Sequence, residues 1–137
     1  MTEEAFIGAK LILFLGARLV VIRRDDRPDI PWPGYLDLPG GGREGAETPE
    51  TCALRETAEE LGLDVDRGEI VWSAEWVSER GRTWSFAAHL PARRVADIRM
   101  GDEGTGWMLL TPAMFLARDD VVPHFQDYLR RYRRERS

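Results

Sequence analysis

The sequence predicts one α/β domain, a mixed β-sheet covered by helices, and three observations carry that expectation. Two aliphatic runs near the start are split by a Gly-Ala turn signal. A segment with helical periodicity follows a glycine-rich loop in mid-chain. Two more strand-like runs and an arginine-rich helical segment occupy most of the remainder. Strands mixed with at least two helices are the pattern of a layered domain. The chain has 137 residues, the usual size of one domain and enough for a core. No linker composition divides it, so a single domain is expected over residues 1–137.

The elements follow in order. In "AKLILFLGARLVVIRR" the two apolar runs flank Gly16-Ala17 and read as a hairpin. "DDRPDIPWPGY" holds three prolines and two adjacent aspartates and reads as a loop. "YLDLPGGGREGAE" is a short extended piece entering a glycine-rich loop. Thr48 suits a helix N-cap, Pro49 a first helical position, and Gly62 a stop after Leu61. "EIVWSAEWVSERGRTWSFAAHL" reads as two strands joined near Arg80-Gly81-Arg82. "MGDEGTG" is a second glycine-rich loop, and "WMLLTP" a last strand that Pro112 ends. A short helix is expected at Ala113 to Ala117, and "VVPHFQDYLRRYRRERS" is a polar terminal helix.

Charge and composition exclude several classes of function. The formal net charge is -5, which argues against general adhesion to nucleic acid. Lys10 is the only lysine among 19 basic residues, so the positive charge is almost wholly guanidinium. A single cysteine, Cys52, cannot form an intrachain disulfide and fits a reducing cytosol, so a cytoplasmic location is expected. The start "MTEEAF" is acidic, unlike a signal peptide, and the longest apolar run is too short to span a membrane.

The helix after the glycines carries the chemistry. On a wheel of ~100° per residue, Glu56, Glu59 and Glu60 share one arc, and Leu54, Ala58 and Leu61 gather on the opposite side. Acids at this spacing repel one another, and they lie near the helix end that prefers cations. A bound divalent cation resolves both penalties, because hard ions take oxygen ligands and leave positions open for water and phosphate. A solvated acidic face, with Arg55 paired to Glu59, is the plainer alternative. The glycines let the backbone approach a ligand, but no Lys-Ser/Thr and no G-x-G-x-x-G follows them. Phosphates would therefore be held mainly through metal.

These residues resemble the signature box of the Nudix hydrolases. The match runs from Gly41 through Glu47 to "RETAEELGL", ending at Leu63, and every fixed position agrees. Thr57 stands where that family usually has an aliphatic residue. The flanking "PWPGYLDLPGG" and "DEGTGW" also look family-like.

The resemblance implies an α/β/α sandwich with a mixed sheet between helices. It implies a pyrophosphohydrolase that needs Mg²⁺ or Mn²⁺ and cleaves a nucleoside diphosphate linked to another moiety. A catalytically silent nucleotide-binding or regulatory module on the same fold is the alternative. By position, Glu56, Glu59 and Glu60 match the metal-binding acids, and the Gly40 carbonyl matches a further ligand. Arg55 and Glu47 match a pair that holds the loop against the helix, with Gly41 and Gly62 as structural glycines. A further acid is expected from the later loop, Glu103 first and Asp102 second. The general base stays open among Glu59, Glu60 and Glu103.

Arg23 and Arg24 are candidate phosphate clamps. Tyr35 and the tryptophans Trp32, Trp72, Trp76, Trp84 and Trp107 are candidates for stacking on a base. Cys52, His89 and His124 read as packed residues, and the arginine-rich tail as a solvated helix end. The expected partner is a small nucleotide, and a homodimer is the expected assembly.

Overall fold

The computed structural model describes residues 5–136. The start Met1 to Glu4, read above as unlike a signal peptide, lies outside the described residues. Strand β1 (Phe6–Leu15) is the centre of the molecule. It turns through Gly16 and Ala17 into β2 (Arg18–Arg23), the expected antiparallel hairpin. Short strands β3 (Leu36–Asp37) and β4 (Gly40–Gly42) precede helix α1 (Pro49–Leu61). Strands β5 (Ile70–Ser78) and β6 (Gly81–Leu90) form the second hairpin. Strand β7 (Gly106–Leu110), α2 (Pro112–Ala117) and α3 (Pro123–Arg136) complete the chain.

All seven strands join one mixed sheet in the order β3-β2-β1-β6-β5, with β4 on β1 and β7 on β2. The β1–β6 pairing is parallel and the others between strands are antiparallel. Leu11, Leu13 and Leu15 of β1 pack in one core with Ala53 and Leu61 of α1. Ile12 and Phe14 pack in a second core with Phe125, Tyr128 and Leu129 of α3. The sheet is therefore covered on both faces. That is why β1 and β2 read as unbroken apolar runs and not as alternating ones.

Helix α1 has the ends its sequence requires. The Thr48 hydroxyl accepts from the Thr51 N–H, Pro49 takes the first position, and Gly62 closes the helix at φ 69°. Its buried face departs from the wheel expectation. Leu54 and Ala58 are only half-buried, while Cys52, Ala53, Thr57 and Leu61 are fully buried. The buried arc adjoins the carboxylate arc and does not oppose it. The cause is the sheet: Cys52, Ala53 and Leu61 pack in one core with β1, and the Cys52 thiol donates to the Gly41 carbonyl of β4.

The glycine-rich segment also differs from a simple loop. Gly40, Gly41 and Gly42 pair with Lys10, Ala9 and Gly8 of β1. The second hairpin turns at Glu79 and Arg80, just before the expected position, and Gly81 opens β6. Strand β5 ends the sheet, and α3 reaches over it: Arg131 donates to the Glu75 carbonyl at 3.1 Å and Arg136 to the Val71 carbonyl at 3.3 Å. Among the described residues no helix is long and apolar enough to cross a membrane.

Candidate active site

The site forms where α1, β4 and β1 meet. Gly40 stands at φ 135°, a region that side chains rarely adopt. A Cβ there would overlap the Ala9 carbonyl oxygen and lie 2.7 Å from Lys10 Cα. Only glycine lets the two strands approach so closely. Gly41 faces the helix instead, and a Cβ on it would lie 2.6 Å from the Glu56 carboxyl carbon. The glycines thus bring bare main chain against the acids of α1.

The Gly40 N–H donates to Glu60 Oε1 at 2.9 Å. Burial pushes the Glu60 carboxyl up to about 7, although Lys10 and the Gly40 N–H pull the other way. Burial also raises Glu56, opposed first by Arg55. Arg55 is the hub of the outer part of the site. Its Nε and Nη2 donate to the two oxygens of Glu47 at 3.0 and 2.8 Å. Its Nη1 reaches Glu56 at 3.2 Å and Glu59 at 3.1 Å, and Nη2 also donates to the Gly42 carbonyl at 2.9 Å. The guanidinium holds the Glu47 carboxyl down at about 2. Glu47 thereby fastens the loop to the helix.

Lys10 was not singled out for chemistry from the sequence, yet it stands beside these groups. Its Nζ donates to the Leu38 and Gly40 carbonyls at 3.2 and 3.1 Å and pairs with Asp37 at 3.0 Å. The signal was available: the only lysine of the chain interrupts an otherwise apolar strand. Asp37 is shared with Arg24 at 2.7 Å.

The two arginines expected to clamp phosphates are engaged within the protein. Arg23 pairs with Asp120 at 2.9 Å and donates to the Gly34 carbonyl. Arg24 holds Asp37 and the Pro31 carbonyl. Both tie down the segment between β2 and β3, because their strand end faces that segment and its acids. Tyr35 packs against Trp32, with ring centroids 5.1 Å apart.

The later loop comes back to the helix. Gly101 N–H donates to the Glu60 carbonyl at 3.0 Å. A cleft of about 330 Å³ lies between Glu59 and Glu60 on one side and Asp102 and Glu103 on the other. The acids on the helix and those on the loop therefore face one opening.

A larger cavity of about 680 Å³ has Lys10, Gly41, Trp76, Thr83, His124 and Tyr128 among its walls. Gly41 lines this cavity, and the direction a Cβ on it would take leads to the Glu56 carboxylate. Sequence reading passed over Thr83 and Tyr128 because they lie far apart on β6 and α3. Their hydroxyls stand 3.2 Å apart in the fold.

The donor set has the character a divalent ion requires. Its chemistry fits: the groups are oxygens, and burial makes the Glu56 and Glu60 carboxylates costly to ionise without a further cation. Among the described residues, no three acidic, imidazole or thiol groups converge on one point. Arg55 lies across Glu56 and Glu59 in that role. Burial pushes the Cys52 thiol up to about 12, which disfavours the thiolate that a nucleophile needs.

Comparison with known proteins adds to this geometry. A putative 8-oxo-dGTP diphosphatase 3 of Mycobacterium tuberculosis is 51% identical over 56 residues, which is 39% of this chain and 26% of that protein. An uncharacterized Nudix hydrolase of Rhodococcus erythropolis is 35% identical over 85 residues, 55% of this chain and 45% of that one. The chain thus spans less than half the length of these two relatives. The crystal structure of a MutT protein from Methanosarcina mazei superposes with a TM-score of 0.76 at 20% identity, covering 100% of this chain and 99% of that one. The model of the NUDIX domain matches residues 6–131, from the first strand into the last helix. With its signature glutamates on α1 facing the glycine strand, this chain belongs to the Nudix family.

Proposed function

We propose that the protein is a metal-dependent pyrophosphohydrolase of small nucleotides, hydrolysing the pyrophosphate bond of a nucleoside diphosphate linked to another moiety and releasing a nucleoside monophosphate with a phosphorylated product or pyrophosphate. The observation that carries this reading is the double position of Gly41, between the large cavity and the Glu56 carboxylate. A nucleoside seated in the cavity would present its phosphates to the acids of α1 across a single glycine.

Glu56, Glu59, Glu60 and the Gly40 carbonyl are the groups to hold Mg²⁺ or Mn²⁺, with Glu103 as an addition from the loop. A bound divalent ion supplies neutralisation of the phosphate oxygens and acidity to a water. The chain supplies the rest. Arg55 holds Glu56 and Glu59 through its Nη1 while its Nε and Nη2 grip Glu47. Glu60, placed by the Gly40 N–H that donates to its Oε1, is one contender for the general base. Glu59 and Glu103 are the other contenders for the general base. Positioning and charge neutralisation account for most of the acceleration of such a reaction.

The test is phosphorus NMR of products from a panel of nucleoside triphosphates, nucleotide sugars and dinucleoside polyphosphates with Mg²⁺. Wild-type protein is expected to turn over at least one member, and Glu56→Gln to lose that turnover. Metal binding without turnover on any member would move the assignment to the silent nucleotide-binding module.

A further inference from the structure

The large cavity has two indoles in its wall, and their surroundings differ. Trp76 is spoken for within the fold. It stacks on Tyr128 with centroids 4.5 Å apart, the Arg131 guanidinium lies 4.8 Å from its ring, and its Nε1 donates to Ser85. Trp32 has one aromatic contact, the tilted ring of Tyr35, and is 40% exposed. Its ring is the one left with surface to offer.

The backbone of Trp32 is also unusual. At φ 52° it is the one non-glycine residue with positive φ among the described residues. A bulky side chain is strained there. Pro31 and Pro33 flank it and stiffen the segment. Arg24 anchors that segment through the Pro31 carbonyl, and the Trp32 carbonyl accepts from Tyr35. A large apolar ring is thus held half in solvent, at a strained position, beside a cavity. Core packing does not account for that arrangement.

We propose that Trp32 is the surface on which the base of the nucleotide stacks, and so a specificity-determining residue. This rests on the nucleotide reading above and adds the group that grips the base. Stacking uses the π-face that every base presents, so Trp32 favours nucleotides over base-free sugar phosphates and separates the bases weakly.

The experiment is equilibrium binding of AMP, GMP, CMP and ribose 5-phosphate by titration calorimetry in Mg²⁺ buffer, where none of these probes contains a pyrophosphate bond. Wild type, Trp32→Ala and Trp32→Phe are compared, with thermal melting of each as the check on folding. Wild type is expected to bind the nucleotides more tightly than ribose 5-phosphate. Trp32→Ala is expected to lose about ten-fold in nucleotide affinity and nothing on ribose 5-phosphate, and Trp32→Phe to retain most of the preference. Equal losses on all four probes, or no loss, would overturn the assignment. Should Trp32→Ala fail to fold, an unchanged preference in a folded Trp32→Leu variant would do the same. A wild-type protein with no preference for nucleotides over ribose 5-phosphate overturns the nucleotide reading itself, and the stacking role with it.

Discussion

Gly40 and Glu60 are joined by one hydrogen bond of 2.9 Å, from the main-chain N–H of the strand to a carboxylate of the helix. The bond fixes an acid that burial has pushed up to about 7. Strand, helix and acidity are coupled at this point.

The coupling sets a pH dependence of stability. The folded value of Glu60 lies above the ordinary carboxyl value of 4.5. The folded state therefore holds a proton that the unfolded chain has released. The stabilising contribution is fully present below about 4.5 and is lost as pH rises through about 7. Burial of His89 and His124 works in the opposite direction over the same range, so the Glu60 contribution is read as a difference: in EDTA, urea unfolding is expected to show wild type losing about 1–3 kcal/mol relative to Glu60→Gln across that window. Glu60→Gln keeps an oxygen for the Gly40 N–H and removes the titration, so its curve is expected to lack that step.

Divalent metal should reverse the sign of this trend. Protons and Mg²⁺ compete for the same carboxylates, so binding strengthens as they ionise. Mg²⁺ at fixed excess is expected to raise the melting temperature more at about pH 8 than at about pH 5. Differential scanning fluorimetry reads this directly. A shift equal at both pH values would place the ion elsewhere, and Glu56→Gln is expected to shrink it.

The two neighbouring glycines should fail differently when changed to alanine. Gly40→Ala puts a methyl group into backbone, at a φ that alanine avoids, and nothing there can move aside. Several kcal/mol of destabilisation, or no folded protein, is expected from chemical denaturation. The Gly41→Ala methyl meets the Glu56 carboxylate, the far end of a side chain that can rotate. That variant is expected to stay folded within about 1 kcal/mol of wild type and to lose metal binding and turnover.

Thr57 is the position where the box departs from its family. It is fully buried, and its hydroxyl donates to the Ala53 carbonyl at 2.8 Å. The polar atom is satisfied within the helix, so the buried face stays apolar in effect. Thr57→Val removes one donor from a carbonyl inside the helix and leaves no polar side-chain atom unpaired, so it is expected to change stability by no more than about 1 kcal/mol, with turnover unaffected. A large loss in a denaturation series would mean that the hydroxyl does more than close that bond.

The local parts of this molecule were legible in the sequence, and the reasons are physical. Thr48, Pro49 and Gly62 delimit α1 through chemistry confined to a single turn. The Gly16-Ala17 hairpin and the two-sided burial of β1 follow from short-range pattern. The face of α1 was misjudged because a wheel knows nothing of the neighbours: β1 and β4 cover the side that holds Cys52 and Ala53. The acids of α1 were legible because they lie within one turn of each other. Lys10, Thr83 and Tyr128 were not, since only tertiary packing brings β1, β6 and α3 to one cavity. Arg23 and Arg24 drew attention as charges at a strand end, but the acids that engage them, Asp120 and Asp37, come from elsewhere in the chain.

The arginines of α3 bear on how copies of this chain can meet. An outermost strand with idle carbonyls is a template for another strand, and proteins guard such rims against runaway association. Here Arg131 and Arg136 occupy the oxygens of Glu75 and Val71 on β5. A second molecule that extended the sheet at β5 would have to displace both guanidiniums first. The rim is therefore defended in part by the chain's own last helix.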